Sequence, residues 1–226
     1  MEHNTKKRLW TGLALLLAFG LWTVLIRSID VQAAGPNGTE IGFAALNLRF
    51  HRLTGVHMTL YTLTDWLGLV PIGVCLGFGA FGLLQLIRRK SLGRVDPDIL
   101  LLGVYYVLVI LGYLFFEAVP INYRPILIQG RLEASYPSST TLLVLSVMPT
   151  LKLQIDRRSK SAPVRGGVSV AAALFSAFMV LGRLISGVHW VTDIIGAVLL
   201  SFGLYNVYRY GVEAVDRRGE KNHGIQ

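Results

Sequence analysis

Gly182-Arg183-Leu184-Ile185-Ser186-Gly187-Val188-His189-Trp190-Val191-Thr192-Asp193 joins two apolar runs, Gly167 to Ser186 and Trp190 to Tyr208, each long enough for a membrane-crossing helix. Charged groups at the edge of such runs are costly to keep, so Arg183, His189 and Asp193 are candidate functional residues by placement alone. The plainer reading is a short loop whose polar residues cap two spans. His189 and Asp193 stand four residues apart and share a face if the segment is helical, which lets the carboxylate orient the imidazole.

Outward from this junction the same grammar repeats. The 226 residues are 53% hydrophobic and 15% charged, with a mean hydropathy of +0.53, values that exclude an ordinary soluble domain. Six spans are expected: Leu9 to Ile26, Trp66 to Ile87, Ile99 to Ala118, Ser138 to Leu153, Gly167 to Ser186 and Trp190 to Tyr208. The first has a basic start, and Val31-Gln32-Ala33-Ala34 follows it like a signal-peptidase site, but its apolar part is longer than a signal peptide needs, so a retained span is expected. Ile41 to Leu60 reads as an interfacial helix, the fourth span as a helix kinked at Pro149, and Arg209 to Gln226 as a polar, frayed tail. The fold class is an all-α integral membrane bundle, with residues 1–226 forming one membrane domain.

The net charge of +9 comes in short clusters between apolar runs, a pattern of membrane orientation and not of nucleic-acid binding. With six spans, sixteen Lys and Arg, including all six lysines, fall on the side of the two termini. Arg27, Arg49, Arg52, Arg124, Arg131 and Arg183 fall on the other. Positive-inside bias makes the termini cytoplasmic and the Arg183 to Asp193 junction extracytoplasmic. Cys75 is the one cysteine and lies in an apolar run, and no His/Cys/Asp/Glu cluster has metal-ligand spacing, so neither metal nor cofactor is expected. Arginine forks with hydroxyls at a helix start suit a phosphate, and Ser138, Ser139, Thr140 and Thr141 stand where the fourth helix begins. Those hydroxyls are equally ordinary helix caps.

Taken together these residues resemble the type 2 phosphatidic acid phosphatases, which share a site with acid phosphatases and vanadium haloperoxidases. Arg183, five residues, His189, three residues and Asp193 match the family's third block, with Gly182 in place of its Ser. Its first block, Lys-x6-Arg-Pro, survives as Arg124-Pro125 with Glu117 in place of Lys, and its second, Pro-Ser-Gly-His, appears as Pro137-Ser138-Ser139-Thr140. A family-like core of about residues 60–208 is implied.

By position, the resemblance implies that His189 is the nucleophile that becomes a phosphohistidine and that Asp193 orients it. Arg124 and Arg183 would hold the phosphoryl group, with Ser138, Ser139 and Thr140 adding donors. Thr140 takes the place of the histidine that acts as general acid, a role worth roughly a hundredfold to ten-thousandfold. Arg131 is the nearest substitute for the missing lysine, and Glu133, His51 and His57 are candidates for the acid. The expected activity is hydrolysis of a phosphate or diphosphate lipid, and a diphosphate tolerates Thr140 better because its leaving group is itself a phosphate ester. The alternative is a catalytically impaired relative that binds a lipid phosphate or a membrane partner. A transporter is disfavoured because no internal repeat of the spans is visible, and a haloperoxidase because the chain is membrane-bound.

Overall fold

Apolar stretches of bilayer length dictate helices, because only internally satisfied backbone survives in hydrocarbon. A computed structural model describes residues 2–223, with side chains described for 5–219. Its helices are α1 (Glu2–Ile26), α2 (Ala44–Thr54), α3 (Met58–Leu67), α4 (Leu69–Arg89), α5 (Pro97–Ala118), α6 (Ser139–Arg158), α7 (Ala162–Ile185) and α8 (Val191–His223). Among the described residues there is no β-strand, only isolated bridges in loops.

Among the described residues, five stretches are long and apolar enough to cross a membrane: Thr5–Ile26, Met58–Arg89, Pro97–Ala118, Ala162–Ile185 and Val191–Gly219. The chain is an all-α, multi-pass membrane bundle. Three expectations need correction. The expected interfacial helix is two helices, because Gly55 adopts a left-handed φ of 68° and ends α2. The second span therefore begins at Met58, not Trp66, with α3 running into α4 through Gly68. The tail does not fray at Arg209, since α8 continues to His223 and is anchored by Arg8–Glu213 at 2.7 Å and Arg157–Asp216 at 2.7 Å.

α6, expected as the fourth span, is too polar to count among the apolar five, for a physical reason. It packs against α4, α5, α7 and α8, and Thr140, Thr141, Ser146, Thr150 and Gln154 are buried in protein and not in lipid. Thr150 and Tyr106 share a hydrogen bond of 2.7 Å, Gln154 donates to the Tyr208 hydroxyl at 2.9 Å, and the Tyr105 hydroxyl donates to the Ser146 carbonyl at 3.0 Å. Polar side chains inside a membrane bundle hold helices together in this way.

The two ends of the bundle differ. At one, Asp98 is buried and accepts from Arg157 and Arg158 at 3.2 and 3.0 Å, tying the start of α5 to the end of α6. The other end gathers the α1–α2, α5–α6 and α7–α8 connections. There α3 lies on α7 so closely that a Cβ on Gly182 would stand 2.7 Å from Thr64 Cγ2. Gly182, with no side chain, is the residue that lets α3 lie this close to α7.

Two stability predictions follow from this packing. Gly182→Ser overpacks the α3–α7 contact and should lower stability by about 1–3 kcal/mol. Adding Thr64→Ser, which deletes Cγ2 and keeps the hydroxyl, should restore most of the loss in thermal unfolding in detergent; no rescue would refute the contact. Asp98→Ala removes the acceptor that Arg157 and Arg158 share and should cost about 2 kcal/mol in the same assay, below the range for a fully buried pair because both arginines are partly exposed and keep other partners, Asp216 for Arg157 and Gln154 for Arg158.

Candidate active site

Asp193 is fully buried in the first turn of α8, and its Oδ2 accepts from the Trp190 N–H at 2.9 Å. An acidic side chain three residues into a helix that reaches back to the cap N–H satisfies one orphan donor and complements the helix dipole. Its other oxygen accepts from Asn122 Nδ2 at 3.2 Å, and its carbonyl accepts from Ser138 N at 3.3 Å. The starts of α6 and α8 and the α5–α6 loop thus meet on one residue.

His189 is buried beside it, with Nδ1 3.6 Å from Asp193 Oδ2, slightly beyond hydrogen-bond length. On the opposite edge of the ring, Nε2 lies 3.4 Å from Arg124 Nη1. A guanidinium has donors only, so Nε2 is the acceptor and the ring proton belongs on Nδ1, facing the carboxylate. Burial pushes the imidazole down to about 4, the Asp193 carboxylate pulling it up and Arg124 and Arg183 pushing it further down. The ring is neutral at neutral pH, and its Nε2 lone pair is available.

Arg183 sits in the last turn of α7 and is 2% exposed. Its Nη2 donates to Asp65 Oδ1 at 2.7 Å and to Thr140 Oγ1, while Nε and Nη1 are buried and unpaired. Arg124 Nε is 3.0 Å from Glu133 Oε2, close enough for an ion pair but out of line for a hydrogen bond. Tyr61 stands between the two arginines, its ring centroid 5.8 Å from Arg124 Cζ and 4.8 Å from Arg183 Cζ. A π face stabilises cations held this close. Buried, unpaired guanidinium N–H groups beside a neutral histidine make an anion site.

The predicted residues separate into two groups. Arg124, Ser138, Thr140, Arg183, His189 and Asp193 come together. Ser138 is buried at the start of α6, where its Oγ donates to Thr141 Oγ1 at 3.1 Å and makes no cap bond. Ser139 lines two adjoining cavities. One, of ≈ 210 Å³, is polar and holds His189, Arg124, Glu117 and Glu133; the other, of ≈ 560 Å³, begins at Asp65 and Thr140 and continues between α4, α5 and α6 along apolar side chains to Val147.

Arg131 is exposed in a tight turn with Ile128 and makes none of these contacts. His57 is held by the Thr54 carbonyl at 2.8 Å, and His51 packs edge-on against Trp190 at 5.6 Å, so neither reaches the phosphoryl position. Tyr61, Asp65 and Asn122 went unread in the sequence. Asp65 carried a signal, an ionisable residue leading an apolar run, whereas Asn122 carried none.

No curated protein matches the chain. The crystal structure of a transmembrane PAP2-type phosphatidylglycerolphosphate phosphatase from Bacillus subtilis superposes with a TM-score of 0.59 at 18% identity, over 91% of this chain and 98% of that one, which is a likeness of fold. The model of the PAP2 superfamily matches residues 72–216, a stretch that runs from α4 into α8 and encloses Arg124, Ser138, Arg183, His189 and Asp193. The chain belongs to the PAP2 superfamily.

Proposed function

We propose that the protein is an integral membrane phosphatase that hydrolyses a phosphate or diphosphate lipid through a phosphohistidine on His189. The observation that carries the reading is the convergence of Nε2 of His189 with two buried arginines that keep unpaired N–H groups. A phosphoryl group bridging Arg124 and Arg183 meets the Nε2 lone pair, and Asp193 stabilises the imidazolium that forms as the P–N bond is made. Water then attacks phosphorus and releases phosphate. The wider apolar cavity suits the hydrocarbon part of the substrate and supports a lipid over a soluble ester.

Between lipid classes, Thr140 at the position of the family's acid favours a diphosphate, which needs less protonation of its leaving group. A phosphate monoester of a glycerolipid, the kind of substrate for which the Bacillus subtilis protein is named, is the second candidate. The distribution of Lys and Arg favours cytoplasmic termini and a site at the extracytoplasmic face. A non-catalytic lipid-phosphate binder is the competing reading, motivated by Glu117 in the polar cavity and by Thr140.

Purified protein in detergent should release phosphate from a polyprenyl diphosphate faster than from phosphatidic acid, and His189→Ala should abolish release from both. Binding of both lipids without release, in folded protein, would establish the binder. Asp193→Asn keeps an acceptor for the Trp190 N–H but loses the charge facing His189, so thermal stability should change little while turnover falls roughly a thousandfold. Because the imidazole is held at about 4, the limb of kcat/KM due to protonation of His189 should lie near that pH, with no loss between pH 7 and 6; an inflection near the ordinary histidine value would contradict the burial argument.

A further inference from the structure

α3 lies outside the part of the chain that matches the family model, yet it sends Tyr61 and Asp65, four residues apart on one face, into the site. Asp65 stands at a boundary. On one side is Arg183, whose Nη2 donates to both Asp65 and Thr140; on the other is the mouth of the apolar cavity, whose lining begins with Asp65, Ser139 and Thr140. A nucleophile and its leaving group lie roughly in line across a transferring phosphoryl group. The two cavities share Ser139 and Tyr113, so with His189 in the polar cavity and the hydrocarbon in the apolar one the departing oxygen lies near Ser139, one residue from Thr140 and on the side where Asp65 lines the apolar cavity.

We infer that Asp65 is the general acid and base of the reaction, taking over from α3 the work that Thr140 cannot do. The inference rests on the phosphatase reading above. The other carboxylates are less well placed: Glu133 and Glu117 line the polar cavity, on the side of the nucleophile. Asp65 is 60% exposed and held at one oxygen, so it is free to shift when a phosphoryl group takes its place on Arg183. The displaced carboxyl then faces the phosphoryl oxygens and receives the proton that a monoanionic phosphate brings with it.

In the first step the Nε2 lone pair forms the P–N bond, the P–O bond to the lipid breaks, and the departing oxygen takes the proton from Asp65. In the second, water attacks phosphorus, its proton goes to the Asp65 carboxylate, and the P–N bond breaks back to His189. The products are the lipid alcohol, or the lipid monophosphate from a diphosphate, and inorganic phosphate.

The test is the dependence of Asp65→Asn on the leaving group. Dodecyl phosphate departs as an alkoxide and needs the acid; 4-dodecyl-2-nitrophenyl phosphate departs as a stable phenolate and does not. Asp65→Asn should slow the alkyl ester at least a hundredfold and the nitrophenyl ester less than fivefold, the second rate also reporting that the variant is folded. Asp65→Glu should recover most of the alkyl rate. Equal losses on both esters would show that Asp65 only holds Arg183 in place, and would overturn the assignment, as would no loss on either. A wild-type protein that hydrolyses a polyprenyl diphosphate but neither ester would overturn the acid alone; one inert toward the diphosphate as well would overturn the phosphatase reading and the acid with it.

Discussion

The buried carboxylate of Asp193 is the constraint on which the site depends. It satisfies the Trp190 N–H at the start of α8, receives Asn122 from the α5–α6 loop and faces the His189 ring, while its carbonyl receives Ser138 at the start of α6. A charge fully withdrawn from water is tolerable only when its lone pairs are taken up by donors or it faces a compensating group. Here that satisfaction forces a histidine, a helix start and two loops into one geometry. The surrounding elements defend it: Trp22 of α1 donates to the Thr192 carbonyl at 3.1 Å, Asn47 of α2 donates to the Thr192 hydroxyl at 3.0 Å, and the Trp190 indole donates to the Tyr123 carbonyl at 2.7 Å. The first turn of α8 is therefore gripped from three directions, and none of those contacts is with the chemistry itself.

The two arginines pose the opposite problem, since like charges placed close together repel and are both desolvated. Tyr61 offers each a π face, and each has its own carboxylate, Asp65 for Arg183 and Glu133 for Arg124. Neither carboxylate uses up its arginine. Arg183 keeps two N–H groups unpaired, and the Arg124–Glu133 contact is out of line. Charge is thus balanced while hydrogen-bonding capacity is left over, the combination that an anion-binding site requires.

How far the sequence speaks follows from the physics of each element. Spans are legible where lipid faces the helix, because the solvent then selects apolar residues along its length. α6 faces protein, so its buried Thr and Gln residues obey internal hydrogen bonding and its hydropathy understates its depth in the bundle. The third block is readable because Arg183, His189 and Asp193 lie in and beside the short connection from α7 to α8, where spacing alone sets their proximity. Tyr61, Asp65 and Asn122 are brought in by tertiary contacts more than 60 residues away in sequence, and no local pattern encodes those. The continuation of α8 beyond Arg209 was hidden for a related reason. Its polar residues read as solvent-exposed, but Glu213 and Asp216 are partners for Arg8 and Arg157 of other helices.

The altered blocks make sense as one change and not as separate losses. Gly182 has no side chain to keep Thr64 away, and α3 settles against α7. That approach brings Asp65, the neighbour of Thr64 on α3, onto Arg183. Thr140, short where the family has an imidazole, leaves room beside that guanidinium and contributes a hydroxyl to it. A histidine in place of Thr140 alone would compete with Asp65 for the space against Arg183, and a serine in place of Gly182 alone would push α3 outward and take Asp65 with it. A small residue at 182 and a hydroxyl at 140 therefore both serve to keep Asp65 on Arg183, and enlarging either alone should disturb that contact.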